Sequence, residues 1–223
     1  MSDTSFGKPD RGSRGLFVTF EGIDGSGKST ALRRAGEWLA AQGLAVRTTH
    51  EPGGTPLGDA IRGIFLDPAW GEVDGTVELL LVFASRRQHL RQVIDPALAA
   101  GEIVLCDRFT DSTLAYQGAG RGVARQRIDE IDRIATASRR PDLTLYFDLP
   151  LEEAERRMGS VERGGHDRLD GESRAFAARV QDGYRALAAA EPERFRVIDA
   201  AGPYLETEVA VRAALSAALR LAP

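Results

Sequence analysis

The segment Glu21–Thr30, EGIDGSGKST, places a lysine and a serine directly after a glycine-rich turn. Residues Gly22–Ser29, GIDGSGKS, fit G-x-x-x-x-G-K-[ST], a spacing that lets backbone N–H groups converge on phosphate oxygens. Gly22, Ile23, Asp24, Gly25, Ser26, Gly27 and Thr30 form that cradle. Lys28 brings a mobile charge for β- and γ-phosphates, and Ser29 a hydroxyl for Mg2+. A second cluster follows the apolar run EIVLC. There Asp107 can reach Mg2+ or its waters, and the Arg108 fork can grip a phosphate in bidentate fashion. The lesser alternative for that pair, taken alone, is a structural ion pair at a strand end. Ser112, Thr113, Tyr116 and Gln117 follow, a mixture that suits a sugar and a base better than a core.

Other candidates are weaker singly. Phe83 and Arg86 stand three residues apart in FASRRQH and can share one helix face, where a ring and a guanidinium could meet a nucleobase. Glu51 and Arg62 flank the Pro-Gly-Gly turn of HEPGGTPLGDAIR. The loops offer no obvious general base, such as a histidine. That fits an acceptor that is already an anion, such as a phosphate monoester.

These residues need elements to hold them. GLFVTF, LAVRTTH, EIVLCDRF, DLTLYFDL and RFRVIDA read as five strands, and helical patterns separate them. The region from Val77 to Gly101 is helical, with Pro96 marking a break or a new start. ETEVAVRAALSAALRL is a final amphipathic helix. The alternation predicts a doubly wound α/β fold, a five-stranded parallel sheet with helices on both faces. Ligands in such folds meet the carboxyl ends of the strands, so the loops after Phe20, His50, Cys106 and Asp199 should carry the site.

Composition narrows the class. The chain has 223 residues, 43% of them hydrophobic, enough for a sizeable core. The longest apolar runs fall far below the ~20 residues of a membrane span. The net charge of −4 argues against polymeric nucleic acid as a partner. A single cysteine, Cys106, excludes an internal disulfide framework, reads as a buried hydrophobe and fits a reducing, cytoplasmic setting. Residues 1–15 lack the apolar region of a secretory signal and read as a tail. Residues 16–223 read as one domain. No guanine-specifying NKxD motif is present, and the chain is short for a motor core, so a compact kinase with a small acceptor is favoured.

FEGIDGSGKST, EPGGTPLGDAIR, DRFTDSTLAYQGAGR and DRLD occur in this order at appropriate spacing. Together they resemble the bacterial thymidylate kinase family, P-loop nucleoside monophosphate kinases, from about Leu16 to the last helix. The resemblance implies transfer of phosphate from ATP to dTMP with Mg2+, in dTTP synthesis, by a cytoplasmic homodimer. It implies that Asp24 and Asp107 lie near the magnesium and the transferred group, and that Arg108 binds the dTMP phosphate. Arg86 would reach the thymine carbonyl edge, with Thr113, Tyr116 and Gln117 along base and sugar and Arg62 and Glu51 lining the acceptor pocket. One subgroup of the family has an arginine where this chain has Gly25. The other draws the charge from an arginine-rich lid, here about residues 156–171. Arg156, Arg157, Arg163 and Arg168 are the candidates, and RGGHDRLD favours Arg163 and Arg168. The family's base-stacking Phe usually lies four residues before the arginine equivalent to Arg86. That position here is Val82, so either Phe83 takes the role or the register counts back from Arg87. The loop AAGPY should border the adenine. A kinase for another nucleotide or nucleoside, or a nucleotide-dependent switch without turnover, are the alternatives.

Overall fold

The computed structural model describes residues 15–159, 167–169 and 171–221. Five strands form: β1 (Leu16–Glu21), β2 (Val46–His50), β3 (Ile103–Asp107), β4 (Leu143–Asp148) and β5 (Phe195–Asp199). All neighbouring pairs are parallel, in the order β2-β3-β1-β4-β5. The helices are α1 (Lys28–Ala41), α2 (Pro56–Leu66), α3 (Gly75–His89), α4 (Asp95–Ala99), α5 (Thr110–Thr113), α6 (Arg125–Thr136), α7 (Leu151–Gly159), α8 (Arg174–Ala190) and α9 (Tyr204–Leu219). This is the doubly wound α/β sheet that the alternation predicts.

The central strand is apolar on both faces because both are covered. Every residue of β1 is buried. Leu16, Val18 and Phe20 join Leu32 and Leu39 of α1 in one core cluster. Phe17 turns the other way and packs with Val104, Cys106, Leu90, Ile94 and Phe109. Cys106 is thus a core residue, and burial pushes its thiol up. β2 and β5 lie at the sheet edges and are partly exposed.

Pro96 does not break the helical region. A π-helical stretch, Leu90–Ile94, carries the chain from α3 straight into α4, where Pro96 sits in the first turn. Widening the turn absorbs the amide that proline lacks. A second π-helical stretch, Leu114–Gly120, continues α5.

Register decides what the sheet presents. Phe20 of β1 and His50 of β2 both pair with Asp107 of β3. Glu21, the last residue of β1, and Glu51 and Arg108, the first beyond β2 and β3, therefore stand side by side at the carboxyl edge of the sheet.

Candidate active site

The loop after β1 turns on glycines. Gly25 has φ 80° and Gly27 φ 83°, in the left-handed region. A Cβ at Gly25 would also lie 3.0 Å from the Ala154 carbonyl oxygen on α7. Any side chain there, an arginine included, must push α7 away, which gives a packing reason for the glycine. Gly27 starts α1 without a side-chain cap and without an acidic residue in the first turn. The first N–H groups and the positive helix end are thereby left for an anion. Ile23 is in the core, Ser26 is buried with its hydroxyl unpartnered, and Thr30 is exposed on the first turn.

Lys28 is buried, and its ammonium lies 3.3 Å from Asp24 Oδ1. Arg108 holds the same carboxylate oxygen at 2.8 Å. Burial pushes the Asp24 carboxyl up, but the two cations outweigh it and hold it well below the usual carboxylate range. Ser29 Oγ donates to Asp107 Oδ2, while Asp107 Oδ1 is buried without a partner. A hydroxyl and a carboxylate, one of its oxygens unpaired, are hard oxygen donors of the kind that hold Mg2+ beside nucleotide phosphates. Asp24, Lys28, Ser29, His50, Arg62 and Asp107 share one cleft of about 850 Å3. His50 lines this cleft from the end of β2, a histidine that the reading of the loops did not weigh. Burial and neighbouring Arg62 lower its pKa, which keeps the imidazole neutral at pH 7.

Arg108 occupies the junction with a second cleft. Its backbone has φ 72°, and its N–H donates to the Phe20 carbonyl at 3.0 Å. Its guanidinium donates to Gly22 O (3.0 Å), Ser112 Oγ (3.2 Å), and the Tyr184 and Tyr116 hydroxyls (3.2 Å each). Beneath these groups lies Glu21, fully buried. It accepts from Phe109 N–H (2.7 Å), Ser112 Oγ (2.5 Å) and Tyr184 OH (3.0 Å). Burial, with the nearby Asp111 charge, raises its pKa to about 8.

The second cleft, about 570 Å3, is lined by Asp24, Glu51, Arg62, Phe65, Val82, Arg86, Arg108, Thr113, Tyr116 and Gln117, among others. Arg86 is almost fully buried between the rings of Phe83 and Phe109, at 4.7 and 4.9 Å. Its Nε donates to Glu51 Oε2 at 2.6 Å, and its Nη1 is buried without a partner. His89 Nδ1 donates to the other Glu51 oxygen at 2.9 Å. Arg62 donates to the Pro52 carbonyl at 3.1 Å at the mouth.

Seven of the eight expected acceptor residues thus line one cleft. Phe83 does not: it lies in the core under Arg86, and Val82 forms the wall. Arg87 is exposed and donates to the Ala135 carbonyl, which fixes Arg86 as the cleft arginine. The lid candidates also separate. Arg156 and Arg157 pair with Glu153 on their own helix, and Arg157 also donates to Ala200 O in the loop after β5. Arg168 is buried, bonded to Glu78 Oε1 at 2.7 Å and to Phe65 O at 3.2 Å, and it lines neither cleft. Arg163 lies outside the described residues. Sequence reasoning did not assign Glu21, Glu78, His89 or Tyr184. A carboxylate ending a buried strand, and a glutamate inside the apolar run VELLL, were the available signals for the first two.

A family model described as thymidylate kinase matches residues 20–211. The chain belongs to the thymidylate kinase family. Among similar members, the thymidylate kinase of Pseudomonas savastanoi pv. phaseolicola is 48% identical over 207 residues, 93% of this chain and 98% of that one. That of Desulfovibrio desulfuricans is 47% identical, covering 92% and 97%. The crystal structure of thymidylate kinase from Ehrlichia chaffeensis superposes with a TM-score of 0.74 at 33% identity, covering 91% of this chain and 99% of that one. Thymidylate kinases of two bacterial genera and a solved member of the family therefore share this chain nearly end to end.

Proposed function

We propose that the protein transfers the γ-phosphoryl group of ATP to dTMP, giving dTDP and ADP, within a domain of residues 16–223. The observation that carries this reading is the adjacency of two clefts at Arg108: one lined by Lys28, Ser29 and Asp107, the other by Arg86 and Gln117. Phosphoryl transfer needs alignment and charge neutralisation more than covalent chemistry. The phosphate loop with Lys28 holds the donor phosphates. Ser29 and Asp107 would hold Mg2+, which would neutralise charge on those phosphates. Arg108 binds the acceptor phosphate, itself an anion near neutral pH and so in no need of a base. Glu51 orients Arg86 towards the base, with Val82 as the apolar wall. Of the two favoured lid arginines, Arg168 is committed to Glu78, which leaves Arg163 for the transition-state charge. Leu57, Ile64, Val77 and Leu80 give α2 and α3 an exposed apolar stripe that supports a homodimer. No helix among the described residues is long and apolar enough to cross a membrane, and we place the enzyme in the cytoplasm, in dTTP synthesis. Phosphorylation assays across dTMP, dUMP, UMP, CMP and thymidine, with ATP and Mg2+, test the function. Preference for dTMP is expected, and a clear preference for any other acceptor overturns it.

A further inference from the structure

Glu78, on α3, is completely buried. A buried carboxylate is tolerated when its lone pairs are used and its charge is met. Its Oε1 accepts from Arg168 Nη1 at 2.7 Å and Arg121 Nη2 at 2.9 Å. Its Oε2 accepts from Arg121 Nε at 3.3 Å and Gln117 Nε2 at 3.0 Å. The two guanidinium groups account for the charge. They do not account for Gln117, which reaches the same carboxylate from the wall of the acceptor cleft.

A carboxylate so placed only accepts hydrogen bonds, so the Gln117 amide must present its NH2 group to Glu78. Turning the amide over would set its carbonyl oxygen against the carboxylate. The Gln117 carbonyl is thereby left for the cleft. Arg86 brings the opposite character to the same cleft, because its Nε is bound to Glu51 and its unpartnered Nη1 is a donor. A thymine or uracil edge offers a carbonyl oxygen beside an N–H, which meets one donor and one acceptor. Cytosine offers an amino group beside a bare ring nitrogen, the reverse pattern.

We infer that Glu78 is a positioning residue for base selection: by locking the Gln117 amide it makes the acceptor cleft take pyrimidine imides and reject cytosine. The inference rests on reading this cleft as the acceptor's base site. Arg168 belongs to the same lock, since its Nη1 holds Glu78 Oε1 at 2.7 Å.

The test compares kcat/KM for dTMP, dUMP and dCMP, with calorimetric Kd where turnover is too slow. In Glu78→Gln the new amide can donate as well as accept, so Gln117 is free to turn over. The dTMP/dCMP ratio should fall about tenfold or more, chiefly through KM. Glu78→Asp keeps the charge that Arg121 and Arg168 need but draws it back from Gln117. It should lower the ratio too, and it covers the case in which Glu78→Gln fails to fold. Gln117→Leu tests the cleft itself and should also lower the ratio. A lowered ratio in Gln117→Leu with an unchanged one in Glu78→Asp overturns the role of Glu78 alone. An unchanged ratio in Gln117→Leu overturns the cleft assignment and the inference with it.

Discussion

Arg108 is the residue on which both clefts turn. Its guanidinium already has five oxygen partners on five residues, which preset its direction before any phosphate arrives. Arg108→Ala should weaken dTMP binding about 100-fold, on the order of 3 kcal/mol for a charge-assisted contact, while ATP affinity changes less than about threefold. Titration calorimetry with each nucleotide separates the two. Unchanged dTMP affinity removes the residue from the acceptor site. Glu21 beneath it makes a different prediction. Its pKa is raised from 4.5 to about 8, so the native state holds the proton more tightly than the unfolded chain does. The associated stability is complete below pH 4.5 and is lost as pH rises through about 8. Thermal unfolding should shift down by roughly 5 °C or more between pH 5 and pH 8.5, and the slope should flatten in Glu21→Gln. Equal slopes in the two proteins would show that Glu21 does not carry the effect.

At the scale of elements, the acceptor residues depend on close packing between α8 and the π-helical stretch Leu114–Gly120. Gly183 makes that approach possible, because a Cβ there would lie 2.7 Å from Ala119 Cβ and 3.3 Å from Ala115 Cα. Gly183→Ala gains about 1 kcal/mol of helix propensity but costs about 1–3 kcal/mol in overpacking. The second effect should win, with a net loss of about 1 kcal/mol and a KM for dTMP raised more than that for ATP. Chemical denaturation and steady-state kinetics read the two parts. An unchanged KM ratio would uncouple α8 from Tyr116 and Gln117. Such packing is invisible in sequence. The three inner strands were legible because each is a short apolar run ending in a polar residue, and the sheet places Asp107, His50 and Phe20 level. The π-helical stretches were not, since a widened turn leaves the apolar spacing nearly intact. Phe83 was misplaced for a related reason. Three-residue spacing puts it on the Arg86 side of α3, yet the ring serves as the floor under the guanidinium rather than as a wall of the cleft.

For the whole molecule, the exposed stripe of Leu57 and Ile64 on α2 with Val77 and Leu80 on α3 lies on the two helices that also carry Arg62, Val82 and Arg86. Leu80, 54% exposed, is the natural probe. Leu80→Glu should convert a dimer to a monomer in light scattering coupled to gel filtration, because an unpaired charge in an apolar contact costs several kcal/mol. A monomeric wild type, or a dimer that survives the change, would remove this stripe as the interface. The lid arginines divide between what spacing can and cannot tell. RGGHDRLD marks a charged segment, but only the fold shows that Arg168 serves a buried glutamate on α3.

Arg108 holds a left-handed backbone, φ 72°, that glycine adopts without cost and arginine adopts at about 1 kcal/mol. That backbone cost is small beside the five hydrogen bonds, the Asp24 pair among them, that Arg108→Gly would lose, so thermal robustness and acceptor binding both hold arginine at position 108. Libraries of this enzyme screened for heat resistance should therefore retain Arg108 even without a screen for turnover, since at this position the two pressures point the same way.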